Sequence, residues 1–182
     1  SVDYEKSITA DMLLNKSNNE LLILDRGNFR MVRIDLGTKK ITASIKTGRQ
    51  PFGLAISPDK KTAFVANVGM YDYPLIPDIT PQNYDSMLLP IQPYGNDTKE
   101  SINGYTLNGR NSPGVGSPLA PEAMSVYTIN LDNNTVMDRF KTGYQIGEMV
   151  EGAAVTGGAS PNSIAVGSKY AYVTNATNDN IS

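Results

Sequence analysis

Neither cysteine nor histidine occurs among the 182 residues. Without cysteine there is no disulfide and no thiolate metal site, and the chain carries no mark of its redox compartment. Without histidine there is no imidazole base, no imidazole metal ligand and no Ser-His-Asp triad. Any chemistry would rest on carboxylates, Lys, Tyr or hydroxyls. Charge is sparse: 19% of residues are charged and the net charge is −2, which argues against a nucleic-acid surface of clustered Lys and Arg. No apolar run approaches the roughly 18–20 residues of a membrane-spanning helix. No leader pattern opens the sequence at Ser1, so any export signal is expected to have been removed or never present.

What is there reads as a loop-rich globular chain, 40% hydrophobic with 11 prolines and 16 glycines, of a length that could hold a single core. A short apolar strand recurs three times, as Leu21–Asp25, Ala63–Asn67 and Ala171–Asn175. Each ends in a carboxylate or carboxamide residue and runs into turn formers, the pattern of a buried β-strand. Residues 11–52 align with the chain from Gly53 onward at an offset of 42, carrying Asp11 to Gly53 and Leu21 to Ala63. A period of roughly 40–45 with four short strands per unit is the spacing of a propeller blade.

The strands of one unit follow in order. Strand A is Leu54–Ile56, and Ser57-Pro58-Asp59-Lys60-Lys61 turns the chain into strand B at Ala63–Asn67. Strand C is clearest in the first unit, where Val32, Ile34 and Leu36 alternate with Arg33 and Asp35. Strand D is Ile41–Ile45 and ends at Lys46-Thr47-Gly48. In the second unit Val126–Leu131 and Val136–Phe140 repeat strands C and D, ending at Lys141-Thr142-Gly143, 95 residues after the first tripeptide. One period removed, 53 residues remain as an insertion between strands B and C, about 70–123. It is dense in Pro, Gly, Asn and Tyr without a sustained period, and reads as a long ordered loop. Tyr71, Tyr73, Tyr84, Tyr94 and Tyr105 favour order there. A third unit opens at Pro161–Val166, matches Pro51–Ile56 at an offset of 110, and runs to Ser182 just short of its strand C. The connection before it, 144–160, is also long.

The expectation is an all-β fold, a partial β-propeller of about 2.5 four-stranded blades, with repeats at 11–52, 53–143 and 161–182. Closed propellers have roughly four to eight blades. The rest of the ring is therefore expected from further residues or another chain, and the sequence is read as a fragment.

Tyr172-Val173-Thr174-Asn175 spells the signature of the YVTN β-propeller repeats. With Pro51–Asn67 and Pro161–Asn175, the chain resembles the YncE-like propellers over about 11–182 outside the insertion. The resemblance implies a seven-bladed ring in a periplasmic, cell-surface or secreted protein. The insertion after Asn67, with Pro121-Glu122-Ala123-Met124-Ser125 at its end, is similar to a narrower group whose propeller accompanies an alkaline-phosphatase-like phosphoesterase domain. Two functions follow as expectations: a non-catalytic extracytoplasmic binding or interaction scaffold, or an accessory propeller of a phosphoesterase whose catalytic domain is not in this sequence.

In a four-stranded meander the B–C and D–A connections leave by the same end, so both long segments share one face, and loops on a rigid scaffold concentrate binding residues. Asn67 and Asn175 are candidate ligand contacts, against the plainer reading that they cap their strands through local backbone bonds. Arg49, Gln50, Phe52 and Asn162 enter the innermost strand and approach the central channel, where ordinary solvated lining is the plainer role. Glu122, Glu148 and Glu151 lie at insertion ends. Carboxylates can hold calcium or flank a scissile bond, yet no motif spacing accompanies them. Gly114-Val115-Gly116 and Gly157-Gly158 lack the strand-to-helix context of a phosphate cradle. Glycosylation tripeptides begin at Asn15, Asn96, Asn133, Asn175 and Asn180; they bear on the protein only along a eukaryotic secretory pathway, and chance matches are common in an Asn-rich chain. No catalytic constellation, metal site, cofactor, nucleic acid or membrane span is expected. The expected partners are the remaining blades and a protein or small molecule on the inserted face.

Overall fold

The computed structural model describes residues 6–74, 79–83 and 98–182. It divides into two compact units, Ser1–Met70 with Pro121–Ser182, and Tyr71–Ala120. The first unit opens with β1 (Thr9–Asn15), β2 (Glu20–Asp25), β3 (Arg30–Asp35) and β4 (Lys40–Lys46), an antiparallel meander in that order. β5 (Pro51–Ile56) and β6 (Thr62–Asn67) start a second sheet. The chain then leaves for the other unit, which holds a short helix α1 (Lys99–Asn103) and a hairpin of β7 (Tyr105–Leu107) and β8 (Arg110–Ser112). On return, β9 (Ser125–Asn130) pairs directly with β6, and β10 (Thr135–Lys141) closes the sheet in the order β10-β9-β6-β5. A ribbon of β11 (Met149–Val150) and β12 (Ala153–Ala154) precedes a third sheet of β13 (Pro161–Val166), β14 (Ala171–Asn175) and β15 (Asn180–Ile181). The architecture is that of a β-propeller: successive antiparallel meanders, each a blade.

The register shows how closely the blades repeat. In β5–β6, Pro51 faces Asn67, Leu54 faces Val65 and Ala55 faces Phe64. In β13–β14, Pro161 faces Asn175, Ile164 faces Val173 and Ala165 faces Tyr172. A register shift falls after Pro51, after Pro161 and after Thr9, at the same place in all three blades. Proline has no N–H to give a ladder and suits the first residue of a strand. The C–D pairs share a second shift, Arg33/Ile34 in the first blade and Val136/Asp138 in the second. The bends recur at equivalent positions and so belong to the repeated blade pattern.

Strand alternation divides each blade into two faces. Leu22, Leu24, Met31 and Ile45 of the first blade pack against Leu54, Ala63, Val65, Tyr127, Ile129 and Leu131 of the second. Each large side chain buried there contributes roughly 1.5–3 kcal/mol. Arg33 adds a polar tie: it pairs with Glu20 at 2.7 Å and donates to Leu131 O and Asn134 Oδ1 on the second blade. The innermost strands also meet. Leu54 N donates to Asp11 Oδ2 at 3.0 Å, and a Cβ on Gly53 would fall 2.4 Å from Asn162 O.

Two equivalent positions of the first and second blades are uncovered. Ile45 is 6% exposed beneath the second blade, whereas Phe140, 95 residues on at the same place in the second blade, is 48% exposed. Leu131 is 4% exposed and its first-blade counterpart Leu36 is 37% exposed.

The sequence reading differs from the structure where elements are shortest. The insertion, read as loop, carries α1 and the β7–β8 hairpin, and the 144–160 connection carries the β11–β12 ribbon. Two to five residues are too few to display a hydrophobic period. The third blade already begins its strand C, with Asn180 opposite Asn175. Within Tyr71–Ala120, Thr98 caps α1 by accepting from Ser101 N, Asp72 N donates to Val115 O at 2.9 Å, and Tyr71 and Tyr73 meet edge-on at 5.8 Å. Tyr84 and Tyr94 lie outside the described residues.

Candidate functional site

At one end of the second sheet, Asn67 lies opposite both Pro51 and Ser125, and Ser125 opposite Lys141. The ends of β6 and β10 and the starts of β5 and β9 therefore form one rim, and the insertion departs and returns there. Arg49, in the junction from β4 to β5, is buried at the centre of this rim. Its backbone N donates to Glu122 O at 2.9 Å and its O accepts from Gly69 N at 3.0 Å. Its guanidinium donates to Met70 O at 2.8 Å and pairs with Glu122 Oε1 at 3.2 Å. One side chain thus holds both necks of the insertion. Gly48 permits the approach, because a Cβ there would lie 2.6 Å from Glu122 O and 2.7 Å from Asn67 Cγ.

Lys141, at the end of β10, donates Nζ to Ala123 O. Lys141 is exposed as a residue, but partial desolvation of its ammonium and the Arg49 charge hold its pKa down to about 8, with Glu122 pulling the other way. Beside it the Arg139 guanidinium sits 5.3 Å from the Tyr127 ring centre. Burial raises the Tyr127 phenol, and Arg139 opposes the rise.

The carboxamides expected at the strand ends bond within the fold, although the buried Asn67 Oδ1 accepts no hydrogen bond among the described residues. Asn67 Nδ2 donates to Val65 O at 3.2 Å and to Ser125 O at 3.1 Å. Asn175 Oδ1 accepts from Thr142 Oγ1 at 2.7 Å, and its Nδ2 donates to Asn180 Oδ1 and Ser182 Oγ. Asp25, the first-blade counterpart, binds Ser7, Asn28, Arg30 and Ile8 N. Burial pushes its carboxyl up, but those hydrogen bonds outweigh it and hold the group below its ordinary value. Asp25 and Asn175 latch the end of strand B to the segment ahead of strand A, and Asn67 ties it to the start of strand C.

The side chains that stay open on the rim are fewer. Phe52 is 41% exposed at the start of β5. Gln50, with φ of +48°, accepts from Arg26 Nη2 at 3.0 Å. Asn162 Oδ1 accepts from Thr174 Oγ1 at 2.7 Å. The Glu122 carboxylate is about two-fifths exposed. Glu148 turns back to Gln145 N, and Glu151 occupies the β11–β12 turn with Gly152, both at positive φ as a two-residue hairpin requires. Among the described residues no group of three acidic side chains is placed to hold a metal ion. The rim therefore offers a cation–amide pair, an aromatic face and a carboxylate, a set suited to binding. Sequence reasoning missed Arg26 and Lys141. The repeated Lys-Thr-Gly tripeptide was the signal for Lys141, and the residue after strand B was the signal for Arg26.

No family model matches the chain, and no curated protein matches it. Solved structures do. Hydrazine synthase of Kuenenia stuttgartiensis is similar at a TM-score of 0.52 and 15% identity, over 94% of this chain and 30% of that one. The Cps50 (Swd1) beta-propeller domain of Myceliophteria thermophila matches with 0.35 and 14% identity, over 97% of this chain and 53% of that one. Virginiamycin B lyase from Staphylococcus aureus matches with 0.34 and 15% identity, over 96% and 50% respectively. The chain thus spans about a third to a half of the length of these proteins. At such identities the likeness concerns the fold alone.

Proposed function

We propose that this chain is a section of an extracytoplasmic β-propeller of the YVTN-repeat kind that serves as a binding scaffold and performs no chemistry of its own. The supporting observation is the rim. Its buried polar groups hold the strand ends and the insertion necks through Arg49 Nη2, Asn67 Nδ2 and Asn175 Oδ1. Its exposed Arg26 and Phe52 and its half-buried Gln50, Asn162 and Glu122 form no nucleophile–base pair. A rigid platform bearing a few exposed polar and aromatic side chains is how loops on a scaffold bind. The ligand is a protein segment or small molecule that stacks on Phe52 and bonds the Arg26–Gln50 pair.

The same reading assigns the uncovered faces. Phe140 on the second blade and Leu36 on the first occupy positions that a neighbouring blade covers elsewhere in the chain, so the rest of the third blade and a blade ahead of the first are the partners of these faces.

Affinity capture from the extracytoplasmic fraction of the source organism tests the binding role, comparing the unaltered chain with Phe52→Ala and with the double variant Arg26→Ala, Gln50→Ala. A binder retained by the unaltered chain and lost by both variants is expected. Equal capture by all three, or saturable hydrolysis of lactones or phosphoesters that Phe52→Ala abolishes, would contradict it.

A further inference from the structure

Five acceptor tripeptides of the Asn-x-Ser/Thr type run through the chain, and the fold treats them unequally. Asn15 is 1% exposed and its Nδ2 is bonded to Glu20. Asn175 is equally buried, with Nδ2 shared between Asn180 and Ser182. Asn180 is half-buried within β15, its Oδ1 held by Asn175. Asn96 lies outside the described residues. Asn133 is different. It sits exposed in the tight turn between β9 and β10, with Asn134 in the left-handed region at φ of +61°.

The Asn133 carboxamide is also oriented. Thr135 Oγ1 donates to Asn133 Oδ1 at 2.6 Å, and Thr135 N donates to the same oxygen at 3.2 Å. Asn130 Oδ1 accepts from the backbone N of Asp132 and of Asn133, which fixes the turn beneath. Arg33 of the first blade bonds Asn134 Oδ1 and Leu131 O, which anchors the hairpin from the side. The oxygen is therefore turned to the chain, and Nδ2 makes no hydrogen bond among the described residues. The hydroxyl residue that the tripeptide requires is the one that sets this orientation.

We propose that Asn133 is an N-glycosylation site, the acceptor for an oligosaccharide carried on a phosphate- or pyrophosphate-linked lipid. In the transfer, Asn133 Nδ2 forms a bond to the anomeric carbon of the donor sugar. The bond from that carbon to the phosphate oxygen breaks, the lipid phosphate leaves with the electron pair, and Nδ2 loses one proton. The turn lies at the end of the sheet opposite the binding rim, since Thr135 faces Asn130 while Lys141 faces Ser125. A glycan there leaves the rim and both blade faces open.

The test uses the folded chain, in an Asn96→Gln background, with a membrane-extracted oligosaccharyltransferase, its lipid-linked donor and an acceptor peptide as the positive control. Peptide mass spectrometry then locates the product. A single glycan on Asn133 is expected, lost in Asn133→Gln and Thr135→Ala and kept in Thr135→Ser, with Asn15 and Asn175 unmodified. An unmodified Asn133 beside a modified control peptide overturns the proposal, as does equal occupancy of Asn15 or Asn175 in the folded chain.

Discussion

Lys141 carries the charge that the fold disfavours most clearly, and its environment makes a signed prediction. A lysine whose folded pKa lies below its unfolded value binds fewer protons when folded, so its contribution to stability rises with pH through that window. Here the window opens at about 8 and closes near the ordinary lysine value of roughly 10.4. Titration of the ¹³C-labelled amines by NMR should place Lys141 near 8. Glu122→Gln should move it lower still, because the Glu122 carboxylate supports the ammonium. A Lys141 amine that titrates near the ordinary lysine value of roughly 10.4 would contradict this environment. A second test concerns the latches. Thr142→Val deletes the hydroxyl that Asn175 Oδ1 accepts and should cost about 1 kcal/mol in urea unfolding. The strand-end Asn residues were legible in the sequence because they recur. Their partners were not, since Thr142 and Asn175 are 33 residues apart and meet only once one blade packs against the next. Arg49 was read as a channel residue; its burial follows from two carbonyls and a carboxylate brought from either side of an insertion whose return no local pattern announces.

At the scale of elements, period-two alternation located the long strands to within a few residues at their ends. Ala171–Asn175 and Pro161–Val166 have the observed bounds. Strand A of the second blade begins three residues earlier than its apolar run, at Pro51, because the ladder continues across the shift after that proline. The strands of two or three residues escaped notice because they are specified by turns, not by a buried face. The insertion interrupts a blade without separating its strands, since β6 and β9 remain paired along their whole length. Replacing most of 70–123 by the four-residue Arg26–Phe29 turn of the first blade should therefore leave a folded sheet with its β-rich circular dichroism and cooperative unfolding. Loss of cooperative unfolding would instead make the insertion part of the core. Arg49 and Lys141 would lose their carbonyl partners in that variant, so stability should fall by a few kcal/mol without loss of the fold, in keeping with about 1.5–3 kcal/mol for each hydrogen bond to a charged group.

At the scale of the whole molecule, the exposed apolar surface follows the repeat. A monomer scatters single hydrophobic residues over its surface without consequence. Here, however, exposure falls at the positions whose equivalents are buried one blade away: Phe140 against Ile45, and Leu36 against Leu131. Tyr172, 54% exposed, stands on the same outward face as Phe64 of the preceding blade, opposite Ala165 as Phe64 is opposite Ala55. Such faces belong to stacked repeats, in which each unit covers its neighbour. Hydroxyl-radical footprinting of Phe140 and Tyr172, in the isolated chain and in the assembly purified from its source, tests this most directly. Ring assembly predicts strong oxidation of both residues in the isolated chain and protection to the level of the buried Tyr127 in the assembly; equal oxidation in the two samples would contradict it.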